Sequence, residues 1–250
     1  MGSEIIINEH GGGFTAAGVA FKVHLPGQPV ITTSEHDIVI FKTPAFLRKY
    51  ESVFESPPTA NILEIGVAQG GSIIYFALAY PHLRFVGIDL RDPSDAVRYQ
   101  IERLGLSDRV KLYYHVDQAD TQKLHEIIRA NFGDEPLGAV TEDASHFYAP
   151  SKKTFESTFG LLAPKGLYCL EDWAWAHEPG PCQADMWLDQ PALSNLLFEI
   201  IMSQPSRYDF VRSVRIDPEL AFIERGRSAS LSSFSLDDMI LKRGKRLQLI

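Results

Sequence analysis

Cysteine is nearly missing from this chain: of 250 residues only Cys169 and Cys182 are cysteines. Their spacing matches no thiolate metal site, and Cys169 falls within an apolar run, which reads as core rather than reactive thiol. Positive charge is also in deficit, with 24 Lys and Arg against 32 Asp and Glu. The resulting net charge of −8 argues against a nucleic-acid partner, which calls for a basic stripe. No apolar run approaches the roughly twenty residues of a membrane-spanning helix. MGSEIIINEH carries neither the basic nor the apolar region of a secretion signal. Repeats and low-complexity segments are absent too. What remains is a soluble, cytoplasmic enzyme with no nucleic-acid or membrane partner, and 250 residues suffice for one α/β domain with an extension.

The stretch that organises the rest is residues 61–77, NILEIGVAQGGSIIYFA. The short apolar run Ile62 to Ile65 fits a buried parallel strand. Gly66, Gly70 and Gly71 then supply a sharp turn, and Ser72 opens a helical run. Strand, glycine turn and helix form the nucleotide-binding opening of a doubly wound sheet, where a Cβ would keep a ligand from the backbone. A second strand, RFVGIDL, ends in Asp89, roughly twenty residues past the turn, the position of an acid that grips ribose hydroxyls. A dinucleotide fingerprint needs G-x-G-x-x-G, and here Ala68 stands where its second glycine belongs. The segment Glu64-Ile-Gly66-Val-Ala-Gln-Gly70-Gly71-Ser72 instead resembles motif I of class I S-adenosylmethionine methyltransferases. That resemblance implies that Glu64 faces the methionine end of the cofactor, with Gly66, Gly70 and Ser72 around it.

Two regions are expected. Residues 1–42 read as a β extension, built from EIIIN, FTAAGVAFKVHL and PVITTS between glycine and proline breaks. It is suited to covering the site or to contacts within a homo-oligomer. Residues 43–250 read as the catalytic domain. A helix starts at Thr43 with Pro44 in its first position. Strands 61–66, 84–89, 110–116, 137–142 and 167–171 alternate with helices 71–80, 94–104, 120–131 and 150–162, which predicts a parallel sheet with helices on both faces. A loop over 173–189 and a helix near 191–203 follow. RYDFVRSVRID and ELAFIERG then close the sheet as an antiparallel hairpin. The tail from Leu236 reads ambiguously.

Acids crowd the strand ends: Glu64, Asp89, Asp117, Glu142-Asp143 and Glu171-Asp172. Ligands bind there in open α/β sheets. Carboxylates gathered in one crevice repel unless a cation neutralises them, and all-oxygen donors favour Mg²⁺ or another hard ion. His146, three residues past Asp143, is placed as a general base beside that ion. His177 in WAWAHEPGP is a second histidine of the same region. Trp173 and Trp175 read either as a lid over the substrate or as packing for the sheet edge.

EDASH, followed by FESTFGLLAPKGLYCLEDW, resembles the metal-dependent sugar O-methyltransferases of antibiotic biosynthesis, of the mycinamicin, macrocin and rhamnosyl type. The resemblance spans roughly residues 60–177. It implies a Rossmann-like class I methyltransferase fold, with a seven-stranded, mostly parallel sheet and a terminal antiparallel hairpin. It implies Mg²⁺ on Asp143, Glu171 and Asp172, with His146 as the base. HVDQAD is similar to the family stretch that encloses the adenosine, which assigns Asp117 and Gln118 to the cofactor. His115-Val116 replaces a family glycine, and Glu142 replaces a frequent aspartate. The expected activity is methyl transfer from S-adenosylmethionine to a sugar hydroxyl of a glycosylated natural product or nucleotide sugar. The alternatives are a cephalosporin-hydroxylase-like oxidoreductase component and a non-catalytic S-adenosylmethionine-binding module, since both retain parts of the same pattern.

Overall fold

The computed structural model describes residues 8–10, 12–25 and 27–250. Strands β1 (Asn8–His10), β2 (Gly13–Ala16), β3 (Val19–Val23) and β4 (Ile38–Ile40) form a small four-stranded sheet in that order. The expected strand EIIIN lies, apart from Asn8, outside the described residues. FTAAGVAFKVHL folds back on itself: β2 and β3 pair antiparallel, and positive φ at Ala17 and Gly18 makes the turn. PVITTS forms no strand. Its backbone partners lie elsewhere, because Thr33 N donates to Gln69 Oε1 (2.9 Å) and Thr33 Oγ1 donates to Gln69 O (2.6 Å). The segment is thereby tied to the glycine turn, and β4, parallel to β3, takes the place in the sheet instead.

The helix expected from Thr43 forms with Pro44 in its first position, and Thr43 Oγ1 caps it by accepting from Phe46 N at 3.2 Å. It breaks into α1 (Pro44–Arg48) and α2 (Glu51–Phe54). At the break Tyr50 turns fully inward and stacks on Phe54, ring centroids 5.4 Å apart.

The main unit follows the expected alternation: β5 (Asn61–Ile65), α3 (Gly71–Ala79), β6 (Arg84–Ile88), α4 (Asp95–Arg103), β7 (Val110–Tyr113), α5 (Thr121–Phe132), β8 (Leu137–Glu142), α6 (Tyr148–Thr158) and β9 (Leu162–Glu171). After the loop come α7 (Ser194–Ser203), the hairpin β10 (Val211–Ile216) and β11 (Leu220–Arg225), and one turn of helix, α8 (Leu236–Met239). The seven strands lie in the order β10-β11-β9-β8-β5-β6-β7, with β11 antiparallel to both β9 and β10. Every residue of β5 and of β8 is buried, as parallel strands covered on both faces must be. One core lies under α5, α6 and α7; the other joins α3 and α4 to the N-terminal sheet, where Phe14 and Phe21 meet Tyr75 edge-on at 5.9 Å.

Chain order reverses direction between β5 and β8, because β6 and β7 extend the sheet one way while β8 and β9 extend it the other. A crevice opens at the carboxyl ends of strands where order reverses. The ends of β5 and β8 carry Gly66 and Asp143, and these define the two halves of the site.

Candidate functional site

Two clefts meet at this crevice. The first, about 500 Å³, is lined by Gly66, Ala68, Asp89, Asp117, Gln118 and the backbone after β8. The second, about 610 Å³, is lined by Lys42, Asp143, His146, Glu171, Asp172 and Trp175, with His24, Phe41 and Phe46 from the N-terminal part. Ala68, Arg91, Asp143 and Ala144 line both, so the clefts share a wall. Each has the size of a small-molecule site.

The first cleft is made largely of backbone. Gly66 has φ +89, and a Cβ there would lie 2.0 Å from the carbonyl oxygen of Asp143. Gly70 is left-handed as well (φ +75) and caps α3. A Cβ on Gly71 would fall 2.2 Å from Val39 O, so β4 packs directly on the first turn of α3. Asp89 accepts from the amides of Val67 (3.0 Å), Ala68 (2.7 Å) and Arg91 (2.9 Å), which locks the turn to the end of β6. Its carboxylate keeps further lone pairs for a ligand hydroxyl. Glu64 is buried beneath the turn and accepts from Ser72 Oγ. Burial pushes its pKa up to about 7, against the opposing pull of Ser72 and Lys42.

Asp117 and Gln118 diverge. Asp117 is exposed at the cleft rim, and its Oδ1 accepts from Ala119 N (2.8 Å). Gln118 is buried. It donates to Glu142 (2.9 Å) and Thr154 (3.1 Å) and accepts from Ser145 N (3.0 Å), so it braces the loop after β8.

One expectation needs correction. The Glu142-Asp143 pair does not place both carboxylates in the crevice. Successive strand residues face opposite sides, and Glu142 turns into the core, where Gln118, Ser151 (2.6 Å) and Tyr168 (3.1 Å) donate to it. Burial raises its pKa, opposed by those hydrogen bonds.

The second cleft is made of side chains. Asp143 Oδ2 and Glu171 Oε2 grip Lys42 Nζ at 2.5 and 2.6 Å, with Lys42 only 6% exposed. The other oxygen of Glu171 accepts from Tyr50 OH at 2.6 Å. Burial alone would lower the Lys42 pKa, but the two carboxylates together hold it well above the usual lysine range. Ligand atoms of Asp143, His146 and Asp172 come within 4.8 Å of one another, a spacing that accommodates one metal ion. Asp143 Oδ1 lies 3.6 Å from His146 Nε2. The His146 ring packs on Trp175 at 4.2 Å, and burial lowers its pKa below the ordinary value. His146 and Asp172 both have positive φ (57° and 56°), a conformation that costs on the order of 1–3 kcal/mol for such residues and is found at functional sites.

The acids outnumber the cations here. Burial, then repulsion from Asp143, pushes Glu171 up to about 8 and Asp172 up to about 7. Among the described residues no Lys or Arg forms a salt bridge with Asp172. Two carboxylates with an unmet negative charge fit a hard divalent ion such as Mg²⁺, with the imidazole beside it. Asp143 and Asp172 from the expected ligand set converge on that place, and His146 joins them. Glu171, the third expected ligand, is taken up by Lys42 and Tyr50.

Lys42, Tyr50 and the aromatic pair His24–Phe41 (ring centroids 4.9 Å apart) were not legible as site residues. The one available signal was a single charge inside the apolar run IVIFKTPAF, since a lysine there must find a buried partner. His177 lines neither cleft; its Nε2 meets Ser194 Oγ at 2.7 Å. Trp173 donates to Asp217 O (2.8 Å) and packs on the core, whereas Trp175 faces the second cleft.

Residues 63–173 match the family described as a methyltransferase domain. The mycinamicin VI 2''-O-methyltransferase of Micromonospora griseorubida is 27% identical over 189 residues, which cover 67% of this chain and 44% of that protein. The chain therefore spans less than half the length of this curated relative. Among solved structures, the MycE methyltransferase of the mycinamycin pathway, in complex with Mg and SAH, superposes with a TM-score of 0.54 at 25% identity. The match covers 74% of this chain and 49% of that one. The same enzyme with Mg, SAH and mycinamycin VI gives a TM-score of 0.55 at 24% identity, over 74% and 49% of the two chains. Sheet order, terminal hairpin and glycine turn define a Rossmann-like methyltransferase fold. The match of residues 63–173 to a methyltransferase domain agrees with that fold. Among the described residues no helix is long and apolar enough to cross a membrane.

Proposed function

We propose that this protein transfers the methyl group of S-adenosylmethionine to a sugar hydroxyl, with a divalent cation as cofactor. The observation that carries the reading is the convergence of Asp143, His146 and Asp172 where the two clefts meet. S-adenosylmethionine supplies an electrophilic methyl group, and the cation, when bound, acidifies and orients a coordinated hydroxyl. The chain's own residues do the rest. Asp89 holds the ribose hydroxyls, and Glu64 faces the methionine end from beneath the turn. Asp117 and Gln118 close the adenosine end, one directly at the rim and one by bracing the loop. Asp143 and Asp172 hold the cation, with Glu171 behind them on Lys42 and Tyr50. His146, kept neutral by burial, accepts the proton of the hydroxyl to be methylated. Trp175 backs the imidazole and excludes water from that side.

The acceptor is a glycoside or nucleotide sugar, by likeness to the mycinamicin enzyme. Incubation with methyl-labelled S-adenosylmethionine and a panel of glycosides should give label transfer that EDTA abolishes and Mg²⁺ restores. His146→Ala should lower kcat by ~10²–10⁴-fold with calorimetric cofactor binding unchanged. Binding of S-adenosylmethionine without transfer to any sugar would remove the acceptor assignment. Full turnover in chelator would remove the cation.

A further inference from the structure

Lys42 is the cation already present in the second cleft, and it shares Asp143 with the candidate metal site. We propose that Lys42 and the divalent cation compete for Asp143 and Glu171, so that the ammonium is a built-in occupant that must give way before Glu171 can join the ligands. The inference rests on the cation-dependent reading above.

Three features of the geometry carry it. Glu171 cannot turn toward Asp172 while Lys42 holds it, because both its oxygens are engaged, one at 2.6 Å by the ammonium and one at 2.6 Å by Tyr50 OH. Of those two holds, the ammonium's is the one placed at the cleft. Tyr50 is fully buried among Phe54, Phe76 and Phe222, whereas Lys42 ends a flexible stem that lines the open cleft. Finally, an ammonium and a divalent ion on one carboxylate repel each other strongly where solvent is scarce, and Lys42 is only 6% exposed. Lys42 also has a clear use before the metal arrives. Asp143 and Glu171 come from different strand ends and repel each other, and the ammonium holds them together. Lys42 lies between β4 and α1, so the N-terminal part of the chain supplies this occupant.

The proposal is tested by metal binding rather than turnover. Mn²⁺ is titrated into the wild type, Lys42→Met and Lys42→Arg, and free Mn²⁺ is followed by its paramagnetic resonance signal. Thermal melting checks that each variant is folded. Lys42→Met should bind Mn²⁺ at least about tenfold more tightly than the wild type, because the competing charge is gone. Lys42→Arg, which keeps the charge, should stay within about threefold of the wild type. A folded Lys42→Met that binds Mn²⁺ equally or more weakly overturns the competition. Should Lys42→Met not fold, the wild type decides alone. Saturating Mn²⁺ should free the ammonium and raise acylation of Lys42 several-fold, read by peptide mass spectrometry. Unchanged acylation with Mn²⁺ bound overturns the proposal. If Mn²⁺ binds neither wild type nor variants, the cation-dependent reading falls, and the competition with it.

Discussion

The two clefts share a wall but are built from different material. On the cofactor side the chain uses backbone: a glycine turn pressed against a neighbouring carbonyl, and Asp89 anchored by three backbone amides. On the acceptor side it uses charged side chains gathered from distant segments, such as Lys42 with Glu171 and Tyr50 with Glu171. The first kind of site is rigid and nearly indifferent to the identity of surrounding side chains. The second depends on charge balance, with Asp143 and Glu171 held by Lys42 and Glu171 also by Tyr50 OH. Substitutions on the two sides should therefore fail in different ways.

The largest effect is expected where the halves touch. Gly66→Ala places a Cβ 2.0 Å from the carbonyl of Asp143, at a residue with φ +89. Backbone on both sides must move, at a cost of roughly 3 kcal/mol or more. Gly105 has φ +67 and nothing within 4 Å of a new Cβ, so Gly105→Ala isolates the conformational cost alone, about 1 kcal/mol. Denaturant melts should rank the two in that order. Because the displaced atom belongs to Asp143, Gly66→Ala should weaken Mn²⁺ as well as S-adenosylmethionine. Loss of the cofactor alone would mean that the clefts are mechanically independent.

A smaller effect separates the halves by charge. Glu64 is the one buried acid of the cofactor side whose pKa is pushed up to about 7, by burial first. An acid with a raised folded pKa binds more protons in the folded than in the unfolded state between the two values. Stability contributed in this way is present at low pH and falls as pH rises from roughly 4.5 toward 7. Glu64→Gln should remove that fall and stabilise the ligand-free protein above pH 7, by up to about 3 kcal/mol. The falling trend from Asp172 and Glu171, raised to about 7 and about 8, should persist in the variant. A pH–stability curve unchanged by Glu64→Gln would mean that the carboxylate is ionised at little cost.

The same contrast explains what was legible in the chain. Glu64, Gly66, Gly70, Ser72 and Asp89 lie on one continuous strand–turn–helix–strand unit, so local spacing keeps them together; Gly66 and Asp89 line the first cleft, while Glu64 and Ser72 are buried beneath the turn. The five parallel strands were legible as apolar runs, whereas β10 of the hairpin is largely exposed and was read from its alternation and the Asp217-Pro218 turn. The acceptor side resisted. Asp143 and Asp172 were readable as strand-end acids, but which oxygen faces which partner is a property of the assembled sheet. Glu142 shows the limit: it stands beside Asp143 in sequence, yet the alternation of the strand sends it to Gln118, Ser151 and Tyr168. Lys42 and Tyr50 reach Glu171 across the whole length of the intervening domain, and no local pattern encodes that meeting. The segment PVITTS failed as a strand because Gln69 offered its backbone a nearer partner.

The smallest expected effect concerns the other histidine of the acceptor side. His146 follows β8 and His177 lies within the tryptophan-rich loop; the sequence offered His146 as the base and His177 only as a second histidine of the region. In the structure His146 lines the cleft 3.6 Å from Asp143, while His177 lines neither cleft and bonds Ser194 Oγ at the start of α7. Its work is to tie the loop to α7, with Trp173 at 6.5 Å as its neighbour. A hydrogen bond of this kind contributes about 1 kcal/mol to stability. His177→Ala should lower the melting temperature slightly and leave kcat within about threefold of the wild type, whereas loss of a general base costs ~10²–10⁴-fold. The loop could loosen enough to raise KM, since Trp175 leaves from the same turn; that change would appear in KM and leave kcat in place. Equal losses of kcat in His146→Ala and His177→Ala would mean that His146 is not the distinct base of the second cleft, and the division of labour would have to be redrawn around α7.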